Sequence, residues 1–185
     1  MKPASSFRKG LAASCLVLCA TLATAAARAA EPTCDPAQLS FAADREGGQF
    51  DGTSHSGTLV VLRNLGPNTC TVPMRPEVGF LDGANKPLRV AAQSSIGMHP
   101  GPVMPQVAIP VGAELTSEVR WVSGDVYGDP KQPGNCVSPA FITLTLGVRV
   151  FVAPFTTRLC GPAGKPPSYS ATPLHRDPPY VPAAR

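Results

Sequence analysis

Ala113-Glu114-Leu115-Thr116-Ser117-Glu118-Val119-Arg120-Trp121-Val122 alternates apolar and polar side chains with a period of two. Successive side chains of an extended chain point to opposite faces. Leu115, Val119 and Trp121 therefore share one face with Ser117, and Thr116, Glu118 and Arg120 share the other. This is the pattern of a half-buried antiparallel strand, with Val122 on the wetter face as its exception. Trp121, the sole tryptophan, falls on the apolar face, which assigns it to the core in preference to ligand stacking.

Outward from this stretch the chain repeats short strands broken by turns. Thr58-Leu59-Val60-Val61-Leu62-Arg63 is β-branched and apolar, and Asn64-Leu65-Gly66-Pro67-Asn68 stops it. Residues 37–43 read as an earlier strand, joined to it by a polar, Gly-rich connection over 46–57. Glu77-Val78-Gly79-Phe80-Leu81 reads as a third, with a turn at Asp82-Gly83 and a hairpin return over 88–91. Residues 93–105 read as a long loop and 106–109 as a short apolar piece. Phe141-Ile142-Thr143-Leu144-Thr145-Leu146 is another strand, continued over 148–152 across Gly147. A lone glycine does not turn a hairpin, so a bend is expected at Gly147 and the turn near Ala153-Pro154, before 155–160 closes the sheet. Prolines recur every few residues and no window holds a 3.6-residue apolar period over three turns, so helices are not expected. The expectation is an all-β fold: an immunoglobulin-like antiparallel two-sheet β-sandwich of seven to nine short strands.

The two ends of the chain have a different texture. Lys2, Arg8 and Lys9 form a basic start, residues 11–23 an apolar run, and Ala27-Arg28-Ala29 a small-x-small cleavage pattern. Residues 1–29 therefore read as a secretory signal peptide. Lipidation at Cys15 or Cys19 is disfavoured, because Leu18 is too bulky before Cys19 and the apolar run continues well past Cys15. Residues 30–160 form the expected β-sandwich domain, and 161–185, with seven prolines, an expected disordered or extended tail. Within that tail, Asp177-Pro178-Pro179-Tyr180-Val181-Pro182 has the composition of an extended groove ligand, although a plain terminus accounts for it more simply. No later stretch reaches the roughly 18 uninterrupted apolar residues of a spanning helix. Without residues 1–29, the 16 basic residues fall to 12 against 12 acidic ones. That zero balance argues against nucleic-acid and anionic-membrane partners, which need a basic patch. The expected product is an exported monomer, periplasmic or secreted.

Four cysteines remain beyond the signal: Cys34, Cys70, Cys136 and Cys160. An even number in an oxidising compartment implies two disulfides. Three pairings are possible. If strands run up and down in order, all four cysteines gather near one pole, and the favoured pairing is Cys70–Cys136 with Cys34–Cys160, the latter tying the first strand to the last. Loops this long contribute on the order of 4 kcal/mol each in the chain-entropy model.

Taken in order, Asn64-Leu65-Gly66-Pro67-Asn68-Thr69-Cys70, then Pro76-Glu77-Val78-Gly79-Phe80-Leu81-Asp82-Gly83, then Pro110-Val111-Gly112 leading to Trp121, and finally Cys136 and Cys160-Gly161 form a series of short motifs. The series resembles an uncharacterised four-cysteine domain family, a domain of unknown function of bacterial exported proteins and lipoproteins. That family is similar to immunoglobulin-like sandwiches and has no assigned activity. The resemblance covers most of residues 34–160 and departs at Pro110-Val111-Gly112, where the family more often has Pro-Gly. It implies fold and compartment and transfers no catalytic residue.

The chain lacks Gly-x-Ser-x-Gly, His-Glu-x-x-His, phosphate-loop, dinucleotide and Cys-x-x-Cys motifs. His55 lies among the hydroxyls of Thr53, Ser54 and Ser56 beside Asp51, a composition suited to a hydrolytic site but equally to a polar loop. No catalytic residue and no cofactor are assigned, and the expected role is a non-enzymatic structural or interaction module contacting a protein or envelope component. Arg63, Arg75, Arg89 and Arg120 are scattered and read as solvated. The alternative is a periplasmic copper-binding protein. Met98, His99 and Met104, with Met74 in another loop, supply thioether and imidazole ligands that suit Cu(I), although methionines also anchor loops as plain apolar fillers. A third reading, cell-wall or glycan binding, needs exposed aromatics, of which the chain has few.

Overall fold

The computed structural model describes residues 30–93, 105–127 and 134–176. Among them, thirteen strands follow in chain order. They are β1 (Leu39–Asp44), β2 (His55–Asn64), β3 (Cys70–Pro73), β4 (Glu77–Leu81), β5 (Ala91–Ala92), β6 (Gln106–Ile109), β7 (Glu114–Val122), β8 (Asn135–Val137), β9 (Phe141–Leu146), β10 (Arg149–Pro154), β11 (Leu159–Gly161), β12 (Ser168–Ala171) and β13 (His175–Arg176). Single 3-10 turns at Pro36–Gln38 and Glu46–Gly48 are the helical elements of the described residues.

β7 has strands on both sides. β2 runs antiparallel along it from His55 opposite Val122 to Arg63 opposite Glu114, and β12 and β13 cover its other edge. The large sheet thus runs β1-β2-β7-β12-β5, with β13 also on β7, and a second sheet runs β10-β9-β4. Leu115, Ser117, Val119 and Trp121 are buried on β7, as the alternation requires, and Thr116 is buried as well, flanked by Val61 and His175. From the second sheet, Val78, Phe80, Ile142, Leu144 and Ala153 face the same core. Aromatic rings join the sheets: Trp121 meets Phe155 edge-on at 5.4 Å, Phe80 meets Tyr169 at 5.4 Å, and Phe41 lies 6.3 Å from Phe151. Two short ribbons, β3–β6 and β8–β11, complete the all-β sandwich.

Five expectations about the strands and the tail need correction. Thirteen strands replace seven to nine because several are only two to four residues long, and one pair, β5–β12, is parallel. The return over 88–91 is no hairpin strand. Leu88 donates one bond to Phe80 at 2.9 Å, then the chain departs to pair Ala91 and Ala92 with β12. Gly147 and Val148 do turn the hairpin that was expected at Ala153-Pro154. Gly147 takes φ 59° while Val148 keeps a negative φ, the type II′ arrangement, and Leu146 pairs directly with Arg149. Residues 155–160 close no sheet of the sandwich but end in the β8–β11 ribbon. The stretch from 161 is not a disordered tail as far as Arg176. Tyr169 and Leu174 are buried in the core, and β12 and β13 cover an edge of β7 that would otherwise expose unpaired peptide groups. Its prolines fall in the connections, where no ladder donor is needed. Residues 177–185 lie outside the described residues, as does the proposed signal peptide.

The disulfides are Cys34–Cys70 and Cys136–Cys160, not Cys70–Cys136 and Cys34–Cys160. The lead-in to β1 is stitched alongside β3, with Cys34 N–H donating to Thr71 and Thr71 N–H to Pro32 at 2.9 and 2.8 Å, which lays Cys34 against Cys70. Cys136 and Cys160 are register partners across β8 and β11. Cys70 pairs with Ile109 beside Asn64, at the end of the β2–β7 ladder where Arg63 meets Glu114, and Cys160 lies against Ser123 at the other end, so the single-pole arrangement does not occur. Asn64 supplies a further staple. Its buried side chain accepts from Gly66 N–H at 2.8 Å and donates to the carbonyls of Asn68 at 2.8 Å and Ile109 at 3.0 Å, tying the end of β2 to β6.

Candidate interaction face

The two-residue turn at Gly147 decides the geometry of β10. In such a hairpin Leu146 and Arg149 form the closing hydrogen-bonded pair, and pairs then alternate. Val150 and Val152, opposite Thr145 and Thr143, occupy the non-bonded positions, so their N–H and C=O groups point away from β9. Neither is bonded elsewhere among the described residues. Their side chains lie on the outer face of the sheet, with fractional exposures of 51 % and 50 %, and Val148 at the turn reaches 105 %. Phe141, Thr143 and Thr145 of β9 and Gly79 and Leu81 of β4 share that face by register, and Glu77 is its one charged member. Gly79 leaves room there for Thr143: a Cβ on Gly79 would stand 2.7 Å from the threonine hydroxyl. The sequence signal was present in Val148-Arg149-Val150-Phe151-Val152, but reading Gly147 as a bend hid which residues face outward.

The Asp51 to Ser56 loop gathers its polar groups differently from a triad. Arg45 holds both Asp51 carboxylate oxygens at 2.6 and 2.7 Å, and Ser56 Oγ donates to the same carboxylate. The Ser56 and Arg45 hydrogen bonds lower the Asp51 pKa below its ordinary value. His55 Nδ1 meets Ser54 Oγ at 2.9 Å. Asp51 is therefore engaged by Arg45 and Ser56, whereas a triad needs the carboxylate to orient the imidazole. Arg120 stacks on Phe50 at 4.4 Å and pairs with Glu118. These contacts fasten the β1–β2 connection to β7.

A concavity of about 490 Å³, part of it open to solvent, lies between Arg75, Gln93, Ser117, Tyr169 and Thr172. Its polar groups bond across the seam: Ser117 Oγ donates to the Thr172 carbonyl at 2.5 Å, Tyr169 OH to Val78 at 2.7 Å, and Gln93 Nε2 to Ser168 at 2.7 Å. Burial, and then the nearby Glu77 charge, raise the Tyr169 pKa above 10.0. Met98, His99 and Met104 lie outside the described residues. Met74, the fourth candidate ligand, donates its N–H to Pro105 at 2.9 Å. No cluster of three or more His, Cys, Asp or Glu able to hold a metal occurs among the described residues.

The model of a domain of unknown function, DUF4232, matches residues 34–172. The chain belongs to that family. Comparisons with curated proteins and with solved structures found no match. The DUF4232 match starts at Cys34 and ends at Thr172, so it takes in both disulfides, the Asn64 staple and β12. No helix among the described residues is long and apolar enough to cross a membrane.

Proposed function

We propose that this DUF4232 chain is an exported, non-enzymatic module of the cell envelope with a structural or protein-interaction role, and that it makes contact through the free edge and outer face of β10. The carrying observation is the row of exposed valines on a strand whose outward peptide groups at Val150 and Val152 have no partner among the described residues. An edge whose peptide groups are unbonded is a template for another extended segment. Export is supported by the signal pattern over 1–29 and by two disulfides. A photo-crosslinking side chain at Val150 should capture protein in intact cells, whereas one at exposed Lys165 should not. Equal capture at both positions, or none at Val150, overturns the reading.

The copper reading is the second proposal, favoured by the Met74 bond to Pro105, the residue that follows Met104. Titration of the oxidised protein with Cu(I) should show binding that is lost when Met98, His99 and Met104 are all replaced. Unchanged affinity in that variant removes copper from consideration.

A further inference from the structure

β10 offers a short and restricted set of hydrogen-bonding groups. Val150 and Val152 each present an outward N–H and C=O, while Pro154, the next residue on that side, has no N–H. An antiparallel partner must therefore satisfy the two donors, and the two acceptors of the same residues, centred on Phe151, with the Pro154 carbonyl beyond them. We propose that the partner is the same edge of a second copy of this chain, an inference that rests on the protein-contact reading above.

A two-fold axis at Phe151 places Val150 opposite Val152 of the second copy and the reverse. In that register both valines form hydrogen-bonded pairs, giving four N–H to C=O bonds. Moving the register by one hydrogen-bonding step in either direction centres it on Val150 or Val152 and leaves part of this set unmatched. The two small sheets become one six-stranded sheet with four valines clustered on a single face.

Charge favours an identical partner over a charged one. Between Arg149 and Pro154 the edge carries no charge, and its one edge-blocking residue is Pro154, which ends it. A charged segment laid here loses hydration and finds no counter-charge. In the two-fold register Arg149 lies opposite Ala153 of the second copy, and the two arginines stand roughly 13 Å apart along the strands, beyond the screening length at physiological salt. Residues 30–185 carry 12 basic and 12 acidic side chains, so two copies approach without long-range repulsion.

The test is sedimentation velocity over a concentration series, with amide hydrogen exchange, on the oxidised full chain after export and any processing. The expected result is a mass rising from one chain to two, with Val150 and Val152 amides that become protected as concentration rises. Val150→Lys and Val152→Lys should each weaken the dimer about two- to fivefold, because each sets two ammonium groups diagonally across the junction on one face. A dimer whose Val150 and Val152 amides stay unprotected overturns the proposal, since it forms by another surface. A single chain at every concentration also overturns it. If photo-crosslinking at Val150 then still captures a protein, the contact reading survives with a different partner; if it does not, both fall.

Discussion

β7 and β10 are written in the same two-residue alternation, yet they do opposite things. β7 is paired on both edges and turns Leu115, Val119 and Trp121 into the core. β10 is hydrogen-bonded by β9 on one side, packs Phe151 against Phe41 of β1, turns Ala153 inward, and leaves Val150 and Val152 outside. The alternation identifies a strand and its two faces; the neighbours decide whether the second face is wet. On β7 that face carries Glu118 and Arg120, which pair with each other. On β10 it carries valines, and this apolar outer face is the basis of the contact surface proposed above.

The largest effect expected follows from how β7 is completed. A stop after Gly161 removes β12 and β13, strips one edge of β7 and deletes buried Tyr169 and Leu174. The truncated chain should show no cooperative thermal transition and no near-UV circular dichroism, whereas a stop after Arg176 should keep both. A cooperative transition in the shorter chain would mean that β7 needs only β2, and the contrast with β10 would collapse.

Next comes Trp121→Ala. The indole is buried, packs edge-on against Phe155 and donates Nε1–H to the Arg158 carbonyl at 3.0 Å. Its loss should cost about 3–5 kcal/mol in urea unfolding. A cost below about 1 kcal/mol would place the ring at the surface.

Trp121 and its strand were legible because nine residues of alternation admit one reading. Glu77–Leu81 and Phe141–Leu146 were legible for the same reason, and they carry the boundaries that were expected. What escaped depends on long-range pairing. Cys34 meets Cys70 because the lead-in runs beside β3, and no local pattern in residues 30–35 records that. β12 is four residues among prolines, too short for its period to show, and its place is fixed by the unfilled edge of β7. The candidate face depends on one dihedral: with Gly147 at φ 59° the valines and their amides point outward together, and a bend in place of that turn hides the pairing.

Tyr169 allows a test of the seam between the sheets. Its hydroxyl donates to the Val78 carbonyl at 2.7 Å, and burial raises its pKa above 10.0. A raised folded pKa means that the native state holds the proton more tightly than the unfolded chain. The associated stability is fully present below about pH 10 and is lost as pH rises through the folded value. Tyr169→Phe should cost about 1–3 kcal/mol at neutral pH, because the Val78 carbonyl loses its partner, and should flatten the alkaline limb of the stability profile. An alkaline limb that survives the substitution would assign it to other groups.

The smallest effect gives the most direct test of the comparison, because one chemical change is made on both strands. Val119→Thr places a hydroxyl in the fully covered core, where the cross-strand neighbour Thr58 already spends its own hydroxyl proton on the Asp44 carbonyl, and should cost about 1–3 kcal/mol. Val152→Thr changes the same atoms on a half-exposed face whose cross-strand neighbour is already Thr143, and should move dilute-solution stability by less than about 0.5 kcal/mol. Measured together by urea unfolding at low concentration, the two costs should differ by more than a factor of two. Equal large costs would show that the outer face of β10 is covered within a single copy, and the free-edge reading would have to be abandoned. Equal small costs would show that the new hydroxyl finds a partner in the core at Thr58, and the contrast between the two faces would fall. Only the asymmetric result fits an alternation that builds a core on one strand and leaves an exposed apolar face on the other.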